Sequence, residues 1–131
     1  MEPPAPTVWP TLRSRDARAL LRFLVDAFGF VETLVVDDGE RVGHAELRWP
    51  LGGGVMVGSA SPESDDRSPV RPGTTGCYVV CDDVDGLHRR AVDAGALTLD
   101  APHDTEYGSR EMSLADPDGN RWSFGTYRGA P

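Results

Sequence analysis

The sequence predicts an α+β protein made of two tandem βαβββ modules that form a concave cleft, and three observations carry that prediction. Val25, Asp26 and Ala27 recur 67 residues later as Val92, Asp93 and Ala94, an offset close to half of the 131-residue chain. Each copy lies at the end of a helical stripe, preceded by one stretch of strand-like alternation and followed by three more. A module with a single helix can cover only one face of its sheet, so a second copy beside it is what the pattern requires. The modules run over about residues 7–59 and 74–127, joined by a linker at 60–73, within one domain over 1–131. A ferredoxin-like unit, the competing fold, needs a second helix in each half, and the periodicity supplies only one.

The elements follow in order. TVWPTLR at 7–13 alternates and reads as a strand, with Pro10 near an edge or bulge. From Asp16, the apolar positions Ala17, Leu20, Leu21, Leu24, Ala27 and Phe28 repeat at helical spacing. Ser14 or Asp16 caps that helix and Gly29 stops it. FVETLVVDD (30–38), RVGHAELRW (41–49) and GGGVMVGS (52–59) are three antiparallel strands, separated by Asp38-Gly39 and by the 50–53 turn. The Ser-, Asp- and Pro-rich stretch at 60–73 has no period and is a connection. TTGCYVVCD (74–82) is a strand, and Val84, Leu87, Ala91 and Ala94 trace a second helix that Gly95 ends. ALTLDA (96–101), SREMSLA (109–115) and RWSFGTY (121–127) close the second module, the last two joined by the turn DPDGN.

Composition removes several functions. The net charge of −8 opposes nucleic-acid and anionic-membrane binding, and no stretch approaches the length of a membrane span. All 13 basic residues are Arg, so Schiff-base chemistry and a phosphate-loop lysine are excluded. The glycines at 52–54 lead into VMVGS, which has no helical period, so they form a hairpin turn and not a phosphate loop. No Ser/His/Asp relay can be assembled, and His88 and His103 read as surface residues. Cys77 and Cys81 sit on one strand about 13 Å apart, too far to bridge, which suits a reducing compartment. The N-terminal MEPPAPT lacks the marks of a secretion signal, so the cytoplasm is the expected location.

A paired βαβββ chain with DARALLRFLVDAFGF early and DPDGNRWSF late resembles the vicinal oxygen chelate superfamily. That group comprises glyoxalase I, extradiol dioxygenases and bleomycin-resistance binding proteins, and the resemblance spans residues 7–127. In its metal-dependent members, His or Glu side chains from the first strand of each unit and a Glu from a later strand chelate an ion in the cleft. Aligning the motifs puts Trp9, Glu46, Cys77 and Ser123 at those positions, and only Glu46 is an ordinary hard ligand. A site made of His44, Glu46 and Cys77 would need the register to slip by two residues. The resemblance therefore implies no metal and no cofactor.

The ligand-binding residues expected in the cleft are Trp9, His44, Glu46, Arg48, Cys77, Val79, Arg121 and Ser123, with no catalytic residue assigned. Trp9 would stack on the ligand, while Glu46, Arg48 and Arg121 would make polar contacts. Trp49 and Trp122 have the opposite parity and belong against the helices. The expected function is the binding of a small organic ligand such as a natural-product antibiotic, sequestered for self-resistance by a homodimer. The alternative is a metal-dependent glyoxalase-like lyase or isomerase, or a dioxygenase.

Overall fold

A computed structural model describes residues 5–60 and 70–131, which form two mixed four-stranded sheets. The first unit contains β1 (Thr11–Ser14), α1 (Ala17–Phe23), a π-helical turn (Leu24–Phe28), β2 (Val31–Asp38), β3 (Arg41–Arg48) and β4 (Gly54–Ser59). The second contains β5 (Gly76–Val80), α2 (Val84–Asp93), β6 (Leu97–Asp104), β7 (Arg110–Ala115) and β8 (Arg121–Gly125). The strand orders are β1-β4-β3-β2 and β5-β8-β7-β6, with β1 and β5 parallel to their neighbours. Most of the 60–73 connection predicted from sequence, residues 61–69, lies outside the described residues.

The repeat offset is written into the hydrogen-bond register. Ala45 opposite Val57, Glu46 opposite Met56 and Leu47 opposite Val55 recur as Met112 opposite Phe124, Ser113 opposite Ser123 and Leu114 opposite Trp122. Thr11 opposite Met56 likewise becomes Tyr78 opposite Ser123. Every one of these positions is displaced by the 67 residues that separate Val25 from Val92.

One residue breaks the offset. Gly29 and Gly95 each follow a helix at φ 93° and 101°, the left-handed region where a side chain is strained. Ala94 meets Gly95 directly, but Phe28 stands between Ala27 and Gly29. The wider turn of a π-helix absorbs such an extra residue, and the Gly29 N–H is shared by the Leu24 and Val25 carbonyls. The insertion turns the Phe28 ring into the core, where it is 1% exposed, with ring centroids 5.1 Å from Phe23, 4.8 Å from Phe124 and 5.4 Å from Trp122.

The core is common to both units. Leu12, Ala45, Leu47, Val55 and Val57 from the first sheet and Val79, Met112, Leu114, Trp122 and Phe124 from the second belong to one cluster with the helical stripes. Polar bonds reinforce it. The Trp49 indole donates to the Val80 carbonyl at 2.8 Å, and Arg90 of α2 donates to the Asp26 and Val25 carbonyls at the end of the first helix. The DPDGN turn is organised around the buried Asp116 carboxylate, which accepts from the Asp118 and Asn120 backbone N–H groups, the Asn120 amide and the Trp122 indole at 2.8–3.0 Å. Asp118 in turn accepts from Ser14 Oγ at 2.6 Å and the Arg15 N–H at 3.0 Å, fastening this turn to the end of β1.

Two element boundaries differ from expectation by more than two residues. Residues 7–10 lie outside a strand, because Pro10 has no N–H to donate; its carbonyl accepts from Met56, and the ladder starts at Thr11. β6 runs on through Pro102 to Asp104, which an edge strand tolerates, so His103 is a strand residue. No helix among the described residues is long and apolar enough to cross a membrane.

Candidate functional site

Since one face of each sheet enters the shared core, the other faces solvent. In the first unit this open face carries Thr11 and Arg13 from β1, Met56 and Gly58 from β4, and His44, Glu46 and Arg48 from β3, the alternation placing Ala45 and Leu47 inward. Trp9 lies over the bare backbone of Gly54, with the Arg48 guanidinium 5.7 Å from its ring centroid. Arg48 Nε is buried and has no partner among the described residues. His44 Nε2 and Glu46 Oε2 are 2.8 Å apart, so those two side chains engage each other. Trp9, His44, Glu46 and Arg48 are thus brought to one face.

The second unit's open face is built differently from the expectation. Ser123 and Arg121 are on it, with Ser123 Oγ 2.9 Å from Ser113 Oγ and Arg121 paired with Asp100 at 3.1 Å. Val79 and Cys77 are not aligned with them. In the parallel ladder Cys77 sits opposite Trp122 and Val79 opposite Phe124, two core residues, and Val79 is buried at 9% exposure. Both therefore lie on the core side of β5 and not on the open face with Ser123, and both border the apolar groove where the units meet. The residue opposite Ser123 is Tyr78, and by register Thr11, not Trp9, is its counterpart in the first unit.

Tyr78 belongs to a hollow of about 540 Å³ lined also by Tyr107, Glu111, Arg121, Ser123 and Tyr127. All three tyrosines of the chain are in it. The Tyr78 hydroxyl donates to the Tyr127 carbonyl and the Tyr107 hydroxyl to Glu111 Oε1, each at 2.7 Å. A separate apolar groove of about 320 Å³ opens where the units meet, bounded by Val8, Pro10, Phe30, Trp49 and the edge of β5. Trp9, His44 and Glu46 line neither of these two, and Arg121 and Ser123 line the tyrosine hollow but not the groove.

The donor set does not fit a chelated divalent ion. The central open-face row is Thr11, Met56 and Glu46 in the first unit and Tyr78, Ser123 and Ser113 in the second, which supplies one carboxylate. Among the described residues no three His, Cys, Asp or Glu side chains converge. The thiols are poor ligands as well. Burial, with the Asp116 charge, raises the Cys77 pKa, and burial, with Asp82 and Asp83, pushes Cys81 up to about 11.

Residues 7–124 match the sequence model of the Glyoxalase/Bleomycin resistance protein/Dioxygenase superfamily. An uncharacterised protein of Mycobacterium tuberculosis is 34% identical over 127 residues, covering 92% of this chain and 74% of that protein. Among solved structures, TioX from Micromonospora sp. ML1 superposes with a TM-score of 0.75 at 26% identity, over 90% of this chain and 97% of that one. A glyoxalase/bleomycin resistance protein from Streptomyces sp. CB03234 gives a TM-score of 0.65 at 22% identity, over 87% of this chain and 94% of that one.

Proposed function

Starting from the fact that the chain belongs to the glyoxalase/bleomycin resistance protein/dioxygenase superfamily, we propose that it binds a small organic molecule without turning it over, and protects its host by sequestering a natural-product antibiotic. The observation that carries this reading is the make-up of the open faces. They offer aromatic surface in Trp9 and the three tyrosines, with directed polar groups in Glu46, Arg48, Arg121 and Ser123, and a hollow whose volume suits a drug-sized ligand. Around these surfaces Glu46 is engaged with the His44 imidazole and Glu111 with the Tyr107 phenol, and neither carboxylate is paired with a serine hydroxyl or a thiol among the described residues.

The protein works as a homodimer in this proposal. The outer strands β2 and β6 leave Val31, Leu34, Val36, Leu97 and Leu99 exposed beside unpaired strand edges, a combination that favours association. Light scattering at a monomer mass contradicts this part.

The test is a tryptophan-fluorescence screen against planar and peptide antibiotics, confirmed by calorimetry. Trp9→Ala is expected to weaken the bound compound at least several-fold, since stacking alone contributes about 0.5–1.5 kcal/mol. Unchanged affinity in that variant removes Trp9 from the site. A metal-dependent lyase, isomerase or dioxygenase is favoured instead if desalted protein retains one divalent ion per chain and loses it in Glu46→Ala.

A further inference from the structure

We propose that the hollow of the second unit selects the cationic, ammonium-bearing end of its ligand, an inference that rests on the binding reading above and names the chemistry of the ligand. The three tyrosines are 46% (Tyr78), 63% (Tyr107) and 44% (Tyr127) exposed, so their rings are accessible. Tyr107 and Tyr127 meet edge to face, centroids 5.9 Å apart and planes at 77°, which gives the hollow two walls at nearly a right angle. The hydroxyl protons of Tyr78 and Tyr107 are already donated, to the Tyr127 carbonyl and to Glu111. What these two rings have left to offer is π surface, the partner of a soft cation.

The charge agrees. Among the described residues, Arg121 and Glu111 are the charged groups lining the hollow, and Arg121 is paired with Asp100. Glu111 has no ion-pair partner among the described residues; it accepts only the Tyr107 phenol. His103, opposite Glu111 in the β6–β7 ladder, directs Nδ1 to the Ala101 carbonyl. Among the described residues lining the hollow, this carboxylate is therefore the charge left without a counter-ion.

Gly125 shows that the arrangement is built. A Cβ there would stand 2.8 Å from Glu111 Cγ and collide with the Tyr78 ring, so these two side chains converge over the bare backbone. The equivalent floor in the first unit is Gly58, with Arg13 lying over it and His44, the register counterpart of Glu111, beside it. At the matching position beside these two floors the first unit thus carries the His44 imidazole and the second the Glu111 carboxylate.

The experiment is an NMR titration of the full chain with three probes of one shape: choline, its uncharged isostere 3,3-dimethylbutan-1-ol, and the anion 3,3-dimethylbutanoate. Choline is expected to shift the Tyr78, Glu111 and Gly125 amides, with the alcohol about tenfold weaker and the carboxylate weaker still. Glu111→Gln should bring choline close to the alcohol, whereas Tyr107→Phe, which keeps the ring, should retain the preference; unchanged amide spectra elsewhere exclude misfolding. Alcohol binding as tightly as choline at these amides overturns the charge preference and leaves the binding reading intact. If no probe reaches the hollow while the antibiotic screen finds a ligand, the inference alone falls. If that screen also finds nothing, both fall.

Discussion

Replacing Asp116 with Ala removes an acceptor that four donors share. The carboxylate takes hydrogen bonds from Asp118 N–H, Asn120 N–H, Asn120 Nδ2 and the indole of Trp122, which is itself fully buried. A bond to a charged acceptor contributes about 1.5–3 kcal/mol, but bonds to one group are not additive and the turn can relax toward water. A loss of about 4 kcal/mol is the reasonable centre, most of it from stranding the indole N–H and loosening the turn that Asp118 fastens to β1. With an unfolding entropy of about 2.1 cal/mol/K per residue over 131 residues, that lowers Tm by about 15 °C. Asp116→Asn keeps one acceptor oxygen and should lose about half as much. Calorimetry and urea titration of the three proteins measure it directly. A drop below about 4 °C in Asp116→Ala would mean that the DPDGN motif does not hold the units together as described.

Three other outcomes are expected. Phe28→Ala should lower stability by about 3–5 kcal/mol in urea titration, because the ring inserted by the π-turn is fully enclosed; a loss under about 1 kcal/mol contradicts its role in the core. Arg90→Met should cost about 1 kcal/mol by removing the guanidinium donor from the Asp26 carbonyl and from the Val25 carbonyl, which keeps the Gly29 N–H, and an unchanged urea midpoint argues against that cap. Cys81 has a folded pKa of about 11 against an ordinary 9.0. Its neutral thiol therefore supports the fold fully below pH 9.0, and that support is lost as the pH rises toward about 11, where the unfolded chain releases its proton first. The urea midpoint should fall across that window, and the fall should be shallower in Cys81→Ala; identical pH profiles refute the assignment.

The fold was legible because its signals are periodic and local. The stripe from Ala17 to Phe28 is buried as the spacing predicts, and Trp49 and Trp122 pack inward as their parity requires. The site was less legible because an error of one residue reverses a strand's faces. Counting the first strand from Trp9 ignored the missing N–H of Pro10, and setting Cys77 beside Ser123 put β5 one residue out of register. The repeat held the remedy: carried by the same offset as Val25 to Val92, Thr11 falls on Tyr78. Tyr107 lies outside the strands, where no period assigns a face, and Tyr127 follows β8, although the stretch at 121–127 gave it the parity of Arg121 and Ser123. Their signal was that every tyrosine of the chain falls in the second unit.

The measurement that tests the central claim most directly is the fate of the ligand. A compound found in the antibiotic screen is incubated with equimolar protein and a mixture of divalent metal ions, released by denaturation, and identified by its chromatographic retention and its mass. Binding without turnover predicts one compound per site recovered at its original retention and mass, with less retained by Trp9→Ala. Recovery of a cleaved, isomerised or oxygenated product, formed by the native chain and not by Glu46→Ala, would contradict the account.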